Sequence, residues 1–353
     1  MQIDKVTVTP VNLSLRQPVR MANLPPIKSM AAIFVRMETR QGRNAWGCGV
    51  AHPQMTGEKP EHALRVCQEA ADLACDLHPT DIEYSLSQLH LITDGSAAAT
   101  CAFDLAFHDL LGLAADMPLY RLLGGYRQRI QTSITIPLLP VKESVEIAQA
   151  RAKLGFRMLK IKGGENPGED VERVRAIQRA LPELTLRLDA DGGYNVPEAL
   201  EVARALKNEI EMLEQPTPAG DLDGLKDVTK NSPIPILADQ SVKGPASVLE
   251  LATTRAVNGI SIKIATCGGL NCARQVDTIA RVAKIFTMVS CLIEPALLIA
   301  AGLSFALSSP NVYYGDLDGY LDIENDPTVA GFRLEEGWLI ANPSPGLGCA
   351  VDL

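Results

Sequence analysis

From about residue 130 the chain alternates short β-rich runs with amphipathic helical stretches, an order that leaves few folds open. The runs are TSITIPL from Thr132, MLKIK from Met158, LTLRLD from Leu184, IEMLE from Ile210, IPILAD from Ile234, GISIK from Gly259, IFTMVSC from Ile285 and NVYYGD from Asn311. Between them, PGEDVERVRAIQRAL and VPEALEVARALKNE place apolar residues at helical spacing with charge on the opposite face. Several runs are apolar at nearly every position, as strands are when protein covers both faces of a parallel sheet. Eight such units in series close into a (β/α)8-type barrel more readily than they form an open sheet. A doubly wound sheet is the alternative, but no GxGxxG follows the first run to mark a dinucleotide site.

The chain before residue 126 has a different texture. An alternating meander, IDKVTVTPVNL and then AAIFVRMET, leads into Ala- and Leu-rich helical sequence through CAFDLAFHDLLGLAA, which reads as an α+β domain over residues 1–125. The barrel follows over residues 126–320. The strand-and-turn texture of GFRLEEGWLIANPSPGLGCAVDL marks residues 321–353 as a C-terminal segment returning to the first domain. A length of 353 residues fits one large domain with a smaller one.

Composition narrows partners and location. A formal net charge of -9 argues against a nucleic-acid binder, which would present a basic stripe. The eight cysteines are scattered without CxxC spacing and read as free thiols of a reducing compartment. The N-terminus alternates like a strand and lacks the basic and apolar regions of a signal peptide. The most apolar stretch, MVSCLIEPALLIAAGLSFAL from Met288, is broken by Glu294 and Pro295 and reads as core strand and helix, not as a membrane span. A cytoplasmic protein with no membrane partner is the expectation. Capped barrels are often symmetric homo-oligomers, although no interface is legible in the sequence.

In a barrel of this kind active residues sit at the C-terminal ends of the strands. Lys160 and Lys162 end the second run, Asp189 the third, Glu214 the fourth, Asp239 the fifth, Lys263 the sixth, and Asp316 with Asp318 the eighth. Any one of these alone is an ordinary strand-end or capping residue. Together they form a register, because Asp189, Glu214, Asp239 and Lys263 follow one another at intervals of 24 or 25 residues, one βα unit each. Around a barrel mouth the three carboxylates converge, with lysines on the strands either side.

Three carboxylates without a neutral donor suit a hard divalent cation, Mg²⁺ first, with open positions left for substrate and water. All five histidines precede the barrel, so a zinc site or a histidine base inside it is not expected. Lys160 and Lys162 are alternate residues of one strand and point the same way, which sets a second positive charge beside Lys162. A neighbouring cation, partial burial and a nearby metal each favour the neutral amine that a lysine base requires. The pair Asp316 and Asp318 in GDLDG reads either as a solvated turn or as a grip for a cation.

The series KIK, RLDAD, EQP, ADQS and SIK followed by GGL, with LYRLLGG before the barrel and PGLG in the tail, resembles the enolase superfamily in its muconate-lactonizing subgroup. The resemblance covers essentially the whole chain. It implies an N-terminal capping domain over a modified TIM barrel, (β/α)7β, with Mg²⁺ on Asp189, Glu214 and Asp239. It also implies Lys162 and Lys263 as acid/base residues on opposite faces of the substrate, Lys160 beside Lys162, and abstraction of a proton α to a carboxylate through a metal-stabilised enediolate. Members of the subgroup include cycloisomerases, o-succinylbenzoate synthases, N-acylamino acid racemases and dipeptide epimerases. A DxD after the eighth strand is a point of similarity among the dipeptide epimerases, where it holds the substrate ammonium. A desolvated ammonium needs such acceptors and an N-acylated amine does not.

The chain departs from the subgroup where many relatives have DAN and ADES. It has Asp189-Ala190-Asp191 and Asp239-Gln240-Ser241, so one carboxylate is added at Asp191 and one is missing at Gln240. The two changes cancel in charge and are expected to preserve the field around the metal. Thr266 stands where a lysine or arginine is often found. Residues 16–30, RQPVRMANLPPIKSM, read as a lid or as an ordinary surface loop, with Arg20 or Lys28 available to an anionic group. Thr132, Ser133 and Thr135 on the first run are candidates to hydrogen-bond substrate, and Glu294 to meet a cationic side chain.

The resulting expectation is an isomerase: a Mg²⁺-dependent dipeptide epimerase that inverts Cα of the C-terminal residue of an L,L-/L,D-dipeptide. The alternatives within the subgroup are an N-acylamino acid racemase, an o-succinylbenzoate synthase or a cycloisomerase. Outside enzymes, a metal-binding barrel used structurally or for sensing is the alternative, and it leaves the opposed lysines without a task.

Overall fold

The eight β-rich runs form eight parallel strands whose order in the sheet follows their order in the chain. In the computed structural model, which describes residues 2–22 and 24–353, they are Ile134–Ile136, Met158–Lys162, Thr185–Asp189, Ile210–Glu214, Ile236–Ala238, Gly259–Lys263, Phe286–Ser290 and Val312–Asp316. The sheet closes between its first and last members. Thr132 bridges Gly315 in parallel, and the Ser133 amide donates to the Gly315 carbonyl at 3.0 Å.

Seven helices of ten residues or more connect the strands, Val141–Lys153, Pro167–Ala180, Val196–Ala205, Leu222–Asn231, Pro245–Thr254, Leu270–Ala283 and Ala296–Ser308, and a single helical turn, Ile264–Cys267, directly follows Lys263. Local chemistry fixes where several begin. Asn166 accepts from the amides of Gly168 and Glu169 ahead of Pro167, and Asn195 closes a capping box with Glu198. No helix follows the eighth strand. The chain makes a 3₁₀ turn over Gly319–Asp322, and its tail forms strands Phe332–Glu335 and Trp338–Ala341 that pair with Arg129–Gln131. Strand counting alone pointed to a (β/α)8 pattern. The structure is (β/α)7β, as the resemblance implied, because GYLDIENDP has no helical apolar period to continue with.

The apolar stretch from Met288 is strand and helix with Glu294 and Pro295 between them. All 13 residues of Ala296–Ser308 are buried, since the cap and the tail strands cover the face that a barrel helix ordinarily shows to water.

The cap is an antiparallel sheet of Ile3–Val19, Ile27–Thr39 and Asn44–Ala51, packed on helices Pro60–Cys75, Ile82–Thr93 and Ala97–Ala115. Ala97–Ala115 is long and apolar enough for a membrane span, and it is the central helix of this domain. It lies so close to Asn44–Ala51 that a Cβ on Gly47 or Gly49 would stand 1.9 Å from a carbonyl oxygen of Ala102 or Ala98. Two buried carboxylates of this helix reach beyond the cap. Asp104 accepts from the amides of Leu270 and Asn271 at 2.6 and 3.1 Å and so caps helix Leu270–Ala283. Asp109 accepts from Trp46 N at 2.9 Å and from Leu347 N at 2.7 Å, tying the tail to the cap.

Candidate active site

Parallel pairing puts the strand-end charges at one level of the barrel. Lys162 lies opposite Asp189 and Asp189 opposite Glu214, while Lys263 lies opposite Ser290 and Ser290 opposite Asp316. Asp239 leaves the fifth strand one residue after its last ladder position. Asp189, Glu214 and Asp239 are 0–4% exposed and each offers an oxygen within 4.8 Å of the others. Arg187 forms the floor beneath them, fully buried, its Nε donating to Glu211 at 2.7 Å and its guanidinium 4.7 Å from the centre of the Tyr314 ring.

The loop carrying Asp239 is held by Gln215. Its Oε1 accepts from Asp239 N at 2.8 Å and Ser241 N at 3.1 Å, while its Nε2 donates to Thr217 O and Ser241 Oγ. Gln215 itself has φ +35°, a backbone state non-glycine residues rarely adopt, and its four hydrogen bonds hold it there.

The donor set fits a divalent cation. Both oxygens of Glu214 are buried without a hydrogen-bond partner, since Lys160 Nζ, 2.9 Å from Oε2, is not directed along a hydrogen bond. Burial together with the charges of Asp189, Asp239 and Asp316 pushes the Glu214 carboxyl up to about 8, against the pull of Lys160. Among the described residues, Asp189, Asp191, Glu214, Asp239, Asp316 and Asp318 face three lysines, Lys160, Lys162 and Lys263, with Arg187 near Asp316 already paired to Glu211. Negative charge is left over where the triad converges, and oxygen-only ligation of this sort suits Mg²⁺.

Lys160 lies at the centre of the cluster, with Nζ 2.9 Å from Asp189, 2.9 Å from Glu214 and 2.8 Å from Asp316. Lys162 Nζ meets Asp189 at 2.8 Å and both oxygens of Asp191 at 3.0 and 2.9 Å. Lys263 Nζ meets Asp239 at 2.5 Å. Burial alone would lower all three lysines. The adjacent carboxylates outweigh it and hold each above the ordinary range, chiefly Asp189 for Lys160 and Lys162 and Asp239 for Lys263. Burial would likewise raise Asp189, but Lys160 and Lys162 hold it well below the carboxylate range. Lys162 and Lys263 stand on the second and sixth of eight strands, half a turn of the barrel apart. Lys162 meets the triad at Asp189 and Lys263 meets it at Asp239.

The loop after Lys162 is braced from below. Asp170 accepts from Gly164 N at 2.8 Å and from the Tyr194 hydroxyl, and pairs with Arg173, whose Nε donates to the Leu139 carbonyl. Gly164 has φ +101°, and a Cβ there would stand 2.1 Å from the Ala190 carbonyl oxygen. Only glycine allows the two strand-end loops to touch.

The first barrel strand meets the DLD turn of the eighth. Ser133 donates to Asp316 Oδ1 at 2.5 Å, and Thr132 Oγ1 accepts from Leu317 N at 2.7 Å. The Thr135 amide donates to Asp318 Oδ2 at 2.6 Å. Barrel closure sets these residues against the DLD turn, and the hydroxyls of Thr132 and Ser133, residues 0–2% exposed, are engaged there. Arg20 reaches the mouth, its carbonyl accepting from Leu138 N and its guanidinium 4.0 Å from Glu165. Lys28, at the start of strand Ile27–Thr39, is exposed and has no ion pair among the described residues. Thr266 Oγ1 turns back to the Lys263 carbonyl. Glu294 is 1% exposed, accepts from Leu292 N at 3.2 Å and is raised by burial to about 8, with Lys263 the nearby cation that opposes the rise.

Gln215, Arg187 and Cys291, whose thiol accepts from Gly319 N at 3.3 Å, shape the site without having been singled out from the sequence. The first two stand inside the motifs EQP and RLD, directly beside or two residues from a carboxylate of the triad.

Residues 143–353 match the family model Enolase C-terminal domain-like, and residues 3–124 match Mandelate racemase / muconate lactonizing enzyme, N-terminal domain. The chain belongs to the enolase superfamily. This superfamily member is similar to the L-Ala-D/L-Glu epimerase of Clostridium acetobutylicum, with 32% identity covering 99% of this chain and 98% of that protein. It is also similar to the N-succinyl-L-Arg/Lys racemase of Bacillus cereus, at 26% identity over 100% and 97% of the two chains. A solved dipeptide epimerase from Enterococcus faecalis, complexed with Mg and the dipeptide L-Leu-L-Tyr, superposes with a TM-score of 0.96 at 33% identity, covering 99% of this chain and 100% of that one. With these relatives the superfamily member is an isomerase, of the racemase and epimerase class that acts on amino acid derivatives.

Proposed function

We propose that the protein is a Mg²⁺-dependent dipeptide epimerase that inverts Cα of the C-terminal residue. The observation that carries this reading is the opposition of Lys162 and Lys263 across the triad of Asp189, Glu214 and Asp239. A carbon held between two amines exchanges its proton on either face, so the product is the inverted stereoisomer. When held by Asp189, Glu214 and Asp239, Mg²⁺ would take up the substrate carboxylate and offset the negative charge that keeps the neighbouring lysines protonated. Lys162 and Lys263 exchange roles with substrate configuration, one removing the Cα proton and the other delivering its own to the opposite face. Lys160, bridging Asp189, Glu214 and Asp316, keeps the carboxylates in place and faces the anionic end of the substrate.

The choice of a dipeptide rests on Asp316 and Asp318 at the end of the eighth strand, an anionic wall suited to a free ammonium. The similarity to epimerases named for L-Ala-D/L-Glu and bound to L-Leu-L-Tyr supports it. Those two relatives differ in side chains at nearly equal identity, so the side-chain preference of this enzyme is not set by overall similarity. The second reading is an N-acylamino acid racemase. It is favoured by the pairing of Asp316 with Lys160 and by the similarity to the N-succinyl-L-Arg/Lys racemase.

Incubating the protein with Mg²⁺ in D₂O and mixed L,L-dipeptides, or the same dipeptides N-acetylated, separates the two. Mass gain by one deuterium with appearance of the L,D form in the free dipeptides is the expected result. Exchange confined to the acetylated set overturns it.

A further inference from the structure

The end of the barrel opposite the carboxylates carries a cavity of its own. Its volume is about 530 Å³, and it lies where the seventh and eighth strands begin, lined by Lys284, Phe286, Pro310, Tyr313 and Tyr314 with Arg281 from helix Leu270–Ala283. That is the size of a small-molecule pocket. None of its lining residues is acidic, in a protein whose net charge is -9.

The two cations are not neutralised. Arg281 and Lys284 are exposed, and among the described residues neither forms an ion pair or a side-chain hydrogen bond. The carboxylate placed to pair with Arg281 is Asp277, one helical turn earlier. It is buried and already engaged, accepting from the hydroxyls of Thr287 at 3.2 Å and Ser309 at 2.6 Å and from Asn311 Nδ2 at 3.1 Å. Lys284 holds the left-handed position that ends the helix, φ +60°, where glycine is the usual residue.

The aromatic side is preformed. Phe286 and Tyr314 pack edge to face at 5.5 Å, and Tyr313, 64% exposed, stands beside Tyr314 at 6.4 Å. The loop that carries Pro310 is pinned by Arg127, which donates to the Ser309 carbonyl at 3.1 Å and to the Val312 carbonyl at 2.6 Å. A flat ring has apolar and π surface to lie on here, and a negative group on that ring has two free cations in the same lining. An aliphatic anion would use the cations alone, and an uncharged ring the aromatic residues alone.

We infer that this cavity is a binding site for a planar aromatic carboxylate, separate from the site of epimerisation. Strand polarity sets it apart, because the same two strands end at Ser290 and Asp316 on the level of the triad. Tyr314 is the wall between the two sites, since its ring also meets the Arg187 guanidinium at 4.7 Å beneath the triad. The inference does not depend on which substrate the triad and lysines serve.

Benzoate, cyclohexanecarboxylate and benzamide are the probes, titrated against the Mg²⁺-loaded protein and followed by ligand-observed NMR. Benzoate should bind with a Kd of about 1 mM or below. It should bind about fivefold or more tightly than cyclohexanecarboxylate, which lacks the flat ring, and than benzamide, which lacks the charge. Arg281→Gln combined with Lys284→Asn should weaken benzoate about tenfold and leave benzamide unchanged. Tyr313→Ser should bring benzoate and cyclohexanecarboxylate closer together, and thermal unfolding checks that each variant is folded. Chelating the Mg²⁺ should leave the benzoate Kd as it was. Equal affinity for the three probes, or benzoate binding that the double variant does not weaken, overturns the inference. Loss of binding on chelation also overturns it, by placing benzoate on the metal. So does sedimentation showing that Tyr313→Ser breaks up an oligomer, which would make this face a contact between copies of the chain.

Discussion

The side-chain amide of Gln240 donates to Asp191 Oδ1 across 3.0 Å, and Asp191 accepts from Lys162 with both oxygens. The two positions at which this chain departs from DAN and ADES therefore touch. Their opposite changes in charge fall within one hydrogen-bonded group, and Asp191 is shaped for it by a left-handed backbone, φ +46°. Asp191→Asn alone removes a charged partner of Lys162, and Gln240→Glu alone sets a carboxylate against a carboxylate. Each should lower kcat about tenfold, as the loss of a charge-assisted hydrogen bond of roughly 1.5 kcal/mol implies. The double variant restores a donor and an acceptor in exchanged places and should recover most of the activity. Steady-state kinetics on the four proteins measures this, and losses that simply add would show that the pair does not act as a unit.

Glu214 carries two buried oxygens without hydrogen-bond partners and a carboxyl raised to about 8, so without a cation this side chain is held in place at the expense of stability. In chelated protein Glu214→Gln should raise the unfolding free energy by about 1 kcal/mol or more, seen as a rise of a few degrees in Tm, while activity is lost. Adding Mg²⁺ should raise the Tm of wild type and leave that of the variant nearly unchanged. Full activity after exhaustive chelation, with no response of Tm to Mg²⁺, would remove the metal from the reading.

What could be read before folding and what could not divides along contact range. Lys162, Asp189, Glu214 and Asp239 are legible because each ends or directly follows a strand, and parallel pairing of successive strands turns a sequence interval of 25 to 27 residues into one level of the barrel. The bonds of Ser133 and Thr132 to the DLD turn are not legible, because nothing local to the first strand shows that the eighth lies beside it. That contact comes from closure, 183 residues away for Ser133 and Asp316. The bond between Gln240 and Asp191 spans 49 residues and two loops, so charge cancellation was visible and contact was not. Gln215 was hidden for another reason. Its function lies in a backbone state, φ +35°, that residue type does not announce.

Asp109 makes stability depend on pH. Its fold-buried carboxyl is raised to about 6 by burial, against the two amides of Leu347 and Trp46 that lower it. The folded protein therefore keeps this proton between the ordinary carboxylate range and about 6, while the unfolded chain releases it. The unfolding free energy should fall as pH rises through that window, by roughly 2–3 kcal/mol for a shift of about two units, and be flat above it as far as Asp109 is concerned. Asp109→Asn offers one acceptor where two amides need one each, so it should be less stable at low pH, yet lack this slope. Denaturant unfolding of both proteins from pH 4 to 7 checks it. Parallel curves would show that Asp109 does not titrate in the window.

The last expectation concerns the lysines. Lys162 and Lys263 reach the triad from strands half a turn apart, each with its own carboxylates, Asp189 and Asp191 for one and Asp239 for the other. Because neither amine hydrogen-bonds the partners of the other, removing one leaves the geometry of the other face in place. Lys162→Ala and Lys263→Ala should each stop epimerisation, with a loss of about 10²–10⁴ or more in kcat for want of an acid or a base. Each should nevertheless exchange the Cα proton of the one stereoisomer that presents it to the surviving lysine, without inverting it. Incubation of separate L,L- and L,D-dipeptides in D₂O, followed by mass and by chiral separation, reads exchange and inversion independently. The two variants should show opposite stereochemical preferences. Epimerisation at wild-type rates by either variant, or loss of exchange from both stereoisomers in both, would mean that the faces are not served by separate bases.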